Sequence, residues 1–383
     1  MIKYLYGILI FALTFSCSND GATDKQTSLD PPKQEIPIKT ITKPEFVFGF
    51  VGQNRYSYAP SSLEQEDGSV HMFFCGNPQN DVMVDNIFHV KINPDGSKTK
   101  AKSVVQPGIS ESWDDHHICD PSVIEGSYLW NNTSFKYVMF YLTNAYGVYY
   151  NEIGVAFSND LEADSWIKYP DQIVRKTWDH DGDQLIAGGW KSWGVGQPSV
   201  VSLDGKGKLL LTYTVGDIGG TRIVWSEVDF SNMEDYTISP PSTIVQTGLM
   251  AIDNKSRDYT SNSEFAINIE EDKILMIRPV QPMPDDYPSY LNSSLEIDFM
   301  NLSDFINNSS SWTPIYRISP DDTGFPRNHN ATLLRDNFGY IKNWEKPTFY
   351  YTVSKAAPNV QPSASNHAEW TYHIWRAQIN ENQ

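Results

Sequence analysis

The chain has 383 residues and a formal net charge of −18, with 29 Lys+Arg against 47 Asp+Glu, 40% hydrophobic and 20% charged residues. That balance excludes a disordered or collagen-like chain, and it makes nucleic acid an unsuitable partner, because a phosphate backbone requires a positive surface. Aromatics reach 13%, and with 24 Gly and 23 Pro they point to many short strands joined by turns.

Residues 1–16 read as a targeting segment. Lys3 gives the positive start, and the apolar run from Tyr4 to Phe15 is too short to span a bilayer. Leu13-Thr14-Phe15-Ser16-Cys17 resembles a bacterial lipoprotein cleavage box, which implies a lipid on Cys17, a membrane as partner and the bacterial cell envelope as location. Residues 17–44 then read as lipidated Cys and linker, rich in Ser, Asp, Pro and Lys without apolar period. Cys75 and Cys119 are the cysteines that remain, and they are expected as two separate buried thiols, although the compartment permits a disulfide.

From there the chain repeats itself. A short Pro-Ser-like turn leads into an apolar strand, a polar turn and a second apolar strand. The copies begin at Ala59-Pro60-Ser61, Asp120-Pro121-Ser122, Gln197-Pro198-Ser199, Glu264-Phe265-Ala266 and Asn330-Ala331-Thr332. The anchors Ala59, Asp120, Gln197, Glu264 and Asn330 are spaced by 61, 77, 67 and 66 residues, enough for four short antiparallel strands each. The expected fold is therefore all-β, one five-bladed β-propeller over residues 45–383, with four-stranded blades around a central funnel. The start of each innermost strand faces that funnel, so the anchors should form a ring at its mouth. Carboxylates and amides together suit a sugar, whose hydroxyls need both acceptors and donors.

Other residues extend the candidate site. Trp113-Asp114-Asp115-His116-His117 precedes the second inner strand, where Asp115 offers a base and His116 and His117 offer substrate contacts. Asp179, Asp181 and Asp183 alternate as in a calcium loop, although Gln184 and Trp190 depart from the helical calcium hand, so a structural Ca²⁺ is the one metal considered and no cofactor is required. Trp190 and Trp193 offer indole faces to a sugar. Arg327 could bind an acidic sugar, and Arg278 could neutralise Glu264.

Asp120-Pro121-Ser122, with Gly154-Val155-Ala156-Phe157-Ser158-Asn159-Asp160 and Trp166, resembles the five-bladed propeller glycoside hydrolases, the arabinanase and β-xylosidase group and the invertase group. The resemblance implies three acidic residues from different blades: a first-blade Asp as base or nucleophile, a second Asp that orients, and a Glu as acid. Asp120 and Glu264 match two of these positions, and Ala59 stands where the first-blade Asp belongs. By the same resemblance His329 would lie near a channel calcium or water cluster. The expected activity is glycoside cleavage by a single copy of the chain, with Glu264, Asp120 and Asp115 as catalytic candidates. The alternative is a glycan-binding propeller that has lost its base at Ala59.

Overall fold

The computed structural model describes residues 39–50, 55–79, 84–148, 150–175, 185–186, 190–191, 193–217, 220–258, 260–285, 291–354 and 372–381. Two strands come first, β1 (Lys39–Ile41) and β2 (Glu45–Phe48). The first blade is β3 (Tyr56–Glu64), β4 (Val70–Asn77), β5 (Asn86–Ile92) and β6 (Lys102–Val105). The second is β7 (His117–Trp130), β8 (Thr133–Asn144), β9 (Glu152–Ser158) and β10 (Ile167–Lys168). After a small ribbon, β11 (Leu185–Ile186) with β12 (Trp190–Lys191), the third blade is β13 (Gly194–Ser202), β14 (Lys208–Asp217), β15 (Gly220–Asp229), β16 (Thr237–Ile238) and β17 (Ser242–Thr243). The fourth is β18 (Glu264–Asn268), β19 (Lys273–Pro279), β20 (Leu295–Asn301) and β21 (Thr313–Ile318), with the short helix α1 (Leu302–Ile306) before β21. Helix α2 (Pro320–Thr323) leads to the fifth, β22 (Arg327–Leu333), β23 (Thr348–Ser354) and β24 (His373–Glu381). The expected five-bladed propeller is the observed fold.

The fifth blade is closed by the chain's other end. β1 pairs with β24 from Lys39↔Glu381 to Ile41↔Ile379, and β2 continues along the same strand from Glu45↔Arg376 to Phe48↔Ile374. Lys39–Ile41 therefore belongs to the propeller, not to the linker expected over residues 17–44. Second strands are covered on both faces because blades stack on one another, which is why β4 is buried at every position and why such strands read as continuous apolar runs. The core follows the same logic. Phe140 and Leu211 belong to one buried cluster shared by blades two and three, Phe73 and Met139 to one shared by one and two, Leu210 and Met276 to one shared by three and four, Ile277 and Tyr351 to one shared by four and five, and Tyr350 and Met72 to one shared by five and one.

Each inner strand carries the same device. Ala59, Asp120, Gln197 and Asn330 adopt left-handed backbone with φ of 48°, 46°, 52° and 42°, and each sits in a β-bulge against the second strand. In the fourth blade the left-handed residue is Asn262, φ 48°, two residues before Glu264. A ladder between blades fixes this register. The N–H of Val123 donates to Ser61 Oγ (3.5 Å), Val200 N–H to Ser122 Oγ (3.1 Å), Phe265 N–H to Ser199 Oγ (2.9 Å) and Leu333 N–H to Glu264 Oε2 (3.1 Å). The fourth anchor is thus Asn262, and Glu264 occupies the position that Ser fills in the first three blades.

The channel is shut at one end. The segment 334–347, between β22 and β23, crosses under it. Glu64 N–H donates to Arg335 O, Glu125 N–H to Asn337 O, Ser202 N–H to Phe338 O and Ile267 N–H to Gly339 O, so the other four blades all hold it. Gly339 has φ 81° and lies so close to Val201 that a Cβ would meet its Cγ1 at 2.9 Å. Arg335, fully buried, donates to the carbonyls of Val200 and Phe265 (2.9 Å each) and to Ser122 Oγ (3.0 Å), and pairs with Glu264 Oε1 (3.1 Å).

Cys75 and Cys119 form a disulfide rather than two separate thiols. Composition cannot reveal this, since the residues are 44 positions apart; the ring of blades brings β4 and β7 side by side.

Candidate active site

The anchors come together with one change, Asn262 standing for Glu264 in the fourth blade, and they lie at the floor of the funnel rather than at its mouth. Ala59, Asp120, Gln197, Asn262 and Asn330 line a constriction of about 30 Å³, with Glu264 also on its wall. Above it opens a funnel of about 460 Å³, walled by Tyr56, Tyr58, Asp85, His117, Asn144 and Tyr372 among others, with Asp120, Gln197, Asn262 and Asn330 at its floor. Among the described residues that line it there is no Lys or Arg.

Asp85 is a candidate site residue that the sequence does not mark. It lies just before β5, is buried, and reaches the funnel from the first blade. The Tyr58 hydroxyl donates to its Oδ2 (3.2 Å). His117 Nδ1 lies 3.0 Å from the same oxygen and accepts the backbone N–H of Asp85 (3.2 Å). The first blade therefore does present a carboxylate, from the loop between its second and third strands rather than from Ala59. No repeat signal marks that loop.

Asp120 faces Asp85 from the second blade. Burial, and then the charge of Asp85, push its carboxyl up to about 7. Its surroundings are Tyr58 and the two sulfurs of the disulfide, with Cys119 Sγ 3.4 Å from Oδ1. Tyr56, Tyr58 and Tyr372 form a mutually packed trio, with ring centroids 5.5–6.3 Å apart. In the second blade Asn144 donates to Asn151 Oδ1 (3.0 Å).

Glu264 is lower and engaged through both oxygens, to Arg335 and to the Leu333 amide. Burial raises its carboxyl to about 7 against the pull of those two donors. The expected neutralising partner Arg278 is elsewhere. It is buried within the fourth blade against Asp258, Glu296 and Asp298, so Arg335 is the cation that meets Glu264.

The remaining candidates divide. His117, Gln197 and Asn330 reach the funnel. Asp115 does not: it accepts the amides of Glu111 and Tyr146 (2.7 Å each) and shapes its own loop. His116 packs against His117 and Tyr146 outside the funnel lining. Trp193 packs over Gly216, and Arg327 is buried and donates to Pro326 O; neither lines the funnel. Asp179, Asp181, Asp183 and the Trp190 side chain lie outside the described residues. His329 is buried, which holds its ring down at about 4 and hence neutral. Its Nδ1 lies 2.6 Å from Asn330 Oδ1 and its Nε2 3.0 Å from Ser354 Oγ. Both of its nitrogens are thus engaged.

Asp120 gives the stability a pH dependence. Its carboxyl binds a proton more tightly in the folded chain than in the unfolded one, so its contribution is complete below the ordinary 3.8 and lost as pH rises through about 7. At about 1.4 kcal/mol per unit this is at most about 4 kcal/mol. Glu264 adds to the same slope. The thermal midpoint of the wild type should fall between pH 5 and 8, and that of Asp120→Asn should fall less steeply, as scanning calorimetry across that range would read.

No family model and no curated protein matches the chain. Solved structures are similar in fold. A family 117 glycoside hydrolase of the marine bacterium Zobellia galactanivorans superposes with a TM-score of 0.56 at 9% identity, over 89% of this chain and 90% of that one. The catalytic domain of the family 62 α-L-arabinofuranosidase of Coprinopsis cinerea gives 0.54 at 11%, over 90% and 98%. An α-L-arabinofuranosidase of Lactobacillus brevis gives 0.54 at 10%, over 86% and 92%. The likeness is that of the five-bladed propeller on which these glycoside hydrolases are built.

Proposed function

We propose that the chain is a glycoside hydrolase of the bacterial envelope, lipid-anchored at Cys17, that cleaves a neutral poly- or oligosaccharide with Asp120 as general acid and Asp85 as the partner carboxylate. The observation that carries the reading is the pair itself: two carboxyls from neighbouring blades at one funnel, of which Asp120 holds its proton up to about 7. A group that keeps its proton near neutrality can give it to the leaving oxygen. Asp85, held by Tyr58 and His117, attacks the anomeric carbon or takes the proton of an attacking water. The Tyr trio offers apolar ring faces to the sugar, and the Asn and Gln side chains serve its hydroxyls. A funnel without Lys or Arg among its described lining favours neutral sugars over uronates and sulfated ones. Glu264 is given a supporting role, because Arg335 and the Leu333 amide already occupy both of its oxygens.

The test is release of reducing ends from a panel of plant and algal polysaccharides and aryl glycosides. Turnover is expected on neutral members. The anomeric configuration of the first product then reports whether Asp85 acts as nucleophile, with retention, or as base, with inversion. Glycan binding without turnover across the panel would instead support the non-catalytic propeller.

A further inference from the structure

We infer that the Cys75–Cys119 disulfide is the positioning element of the catalytic pair, fixing the seam between the first and second blades across which Asp85 and Asp120 face each other. The inference rests on the roles proposed above for those two residues.

The bridge joins the two blades that supply the pair. Cys75 lies on β4, between Tyr58 on β3 and Ile87 on β5, and Ile87 is two residues past Asp85. Cys119 lies on β7, immediately before Asp120 and two residues after His117, which crosses the same seam to Asp85. Both sulfurs also touch Asp120 itself. Its backbone nitrogen is 2.8 Å from Cys75 Sγ, and its Oδ1 is 3.4 Å from Cys119 Sγ. Asp120 stands in left-handed backbone at the Cys119/Ser122 bulge, so its side-chain direction depends on how that bulge is held. A disulfide sulfur carries no proton to donate. The bridge thus gives the carboxyl a wall of low polarity, where two free thiols would give it donors and room for water. The charged and titratable groups around Asp120 are Asp85 and Tyr58 across this seam, His117 on its own strand and Glu264 of the fourth blade on the same constriction, and of these Asp85 and Tyr58 move with the seam.

The experiment compares three forms: the oxidised wild type, the wild type reduced with dithiothreitol, and Cys75→Ala/Cys119→Ala. In the reduction, the S–S bond takes up two electrons and two protons to give two thiols while dithiothreitol closes to its cyclic disulfide, and thiol titration counts completion. Each form is assayed at a temperature at which circular dichroism shows it folded. A displacement of the order of 1 Å at a reacting group can cost about 10²-fold. The expected result is a fall in kcat of about 10- to 100-fold in the reduced and double-variant forms, with KM within about threefold. The alkaline limb of the pH profile should move to lower pH, and reoxidation should restore kcat. Loss of stability alone would move neither kcat nor the limb at such a temperature, so equal kcat and an unmoved limb in all three forms would overturn the inference. If the double variant does not fold, the reduction and reoxidation series decides. Absence of turnover by the oxidised wild type is a separate failure, that of the proposed function. The seam is then judged by the pH dependence of the thermal midpoint, which should be shallower in the double variant and, if equal in both, sinks the inference.

Discussion

Asp120→Asn is expected to lower kcat/KM on natural glycosides by about 10²- to 10⁴-fold while the chain stays folded, the range that a positioned general acid contributes. The size of the loss should depend on the leaving group. A dinitrophenolate departs without a proton, so on a dinitrophenyl glycoside the variant should approach the wild type, whereas an alkyl leaving group should expose the full deficit. The wild type's alkaline limb, set by a carboxyl raised to about 7, should vanish in the variant, because nothing that titrates there remains in that role. Asp85→Asn should behave differently: slow on every leaving group, and accelerated by azide or formate filling the space of the lost carboxylate. Steady-state kinetics with a series of aryl glycosides reads all of this. Leaving-group dependence in Glu264→Gln in place of Asp120→Asn would transfer the acid role to Glu264.

The largest effect on stability should come from Arg335→Ala, about 3–5 kcal/mol in denaturant unfolding, the cost of stranding one partner of a buried ion pair. Removing the guanidinium leaves Glu264 without its counter-charge and the carbonyls of Val200 and Phe265 without a donor, in a channel that water cannot fill freely. The loss should shrink when the charge is removed from both sides. Arg335→Met with Glu264→Gln should be closer to the wild type than Arg335→Met alone, and the double-mutant cycle gives the coupling directly. Equal losses in the single and double variants would mean that the carbonyl contacts, not the ion pair, hold the channel shut.

The fold was legible because one local device recurs. A left-handed residue before Pro-Ser, followed by two apolar strands, marks three inner strands without ambiguity, and Asn330-Ala331-Thr332 keeps enough of it to mark another. The fourth blade reads two residues off, because Asn262-Ser263-Glu264 lacks the Pro, and its Glu takes the hydrogen-bonding duty of the Ser in the first three blades. The closing strand β1 was hidden because Lys-Thr-Ile is too short to show alternation, and only its pairing with β24 makes it a strand. The site was half legible. Asp120, Gln197, Asn330 and His117 lie on or beside the repeat, and the structure brings them together. Asp85 comes from a loop of no fixed spacing, and the disulfide depends on which strands become neighbours, so neither leaves a trace in one sequence. Arg278 and Asp115 lie near the repeat in the sequence, but each has a partner closer to hand.

The pairing of β1 with β24 also sets a compass. β24 runs from the funnel side, where His373 follows Tyr372 of the wall, down to Glu381 on the side of the 334–347 plug, and β1 starts opposite Glu381. Whatever precedes Lys39 therefore joins the propeller at its sealed face. Lys39 and Glu381 thus lie side by side on the face away from the open mouth, so a fusion joined to either would leave the funnel clear.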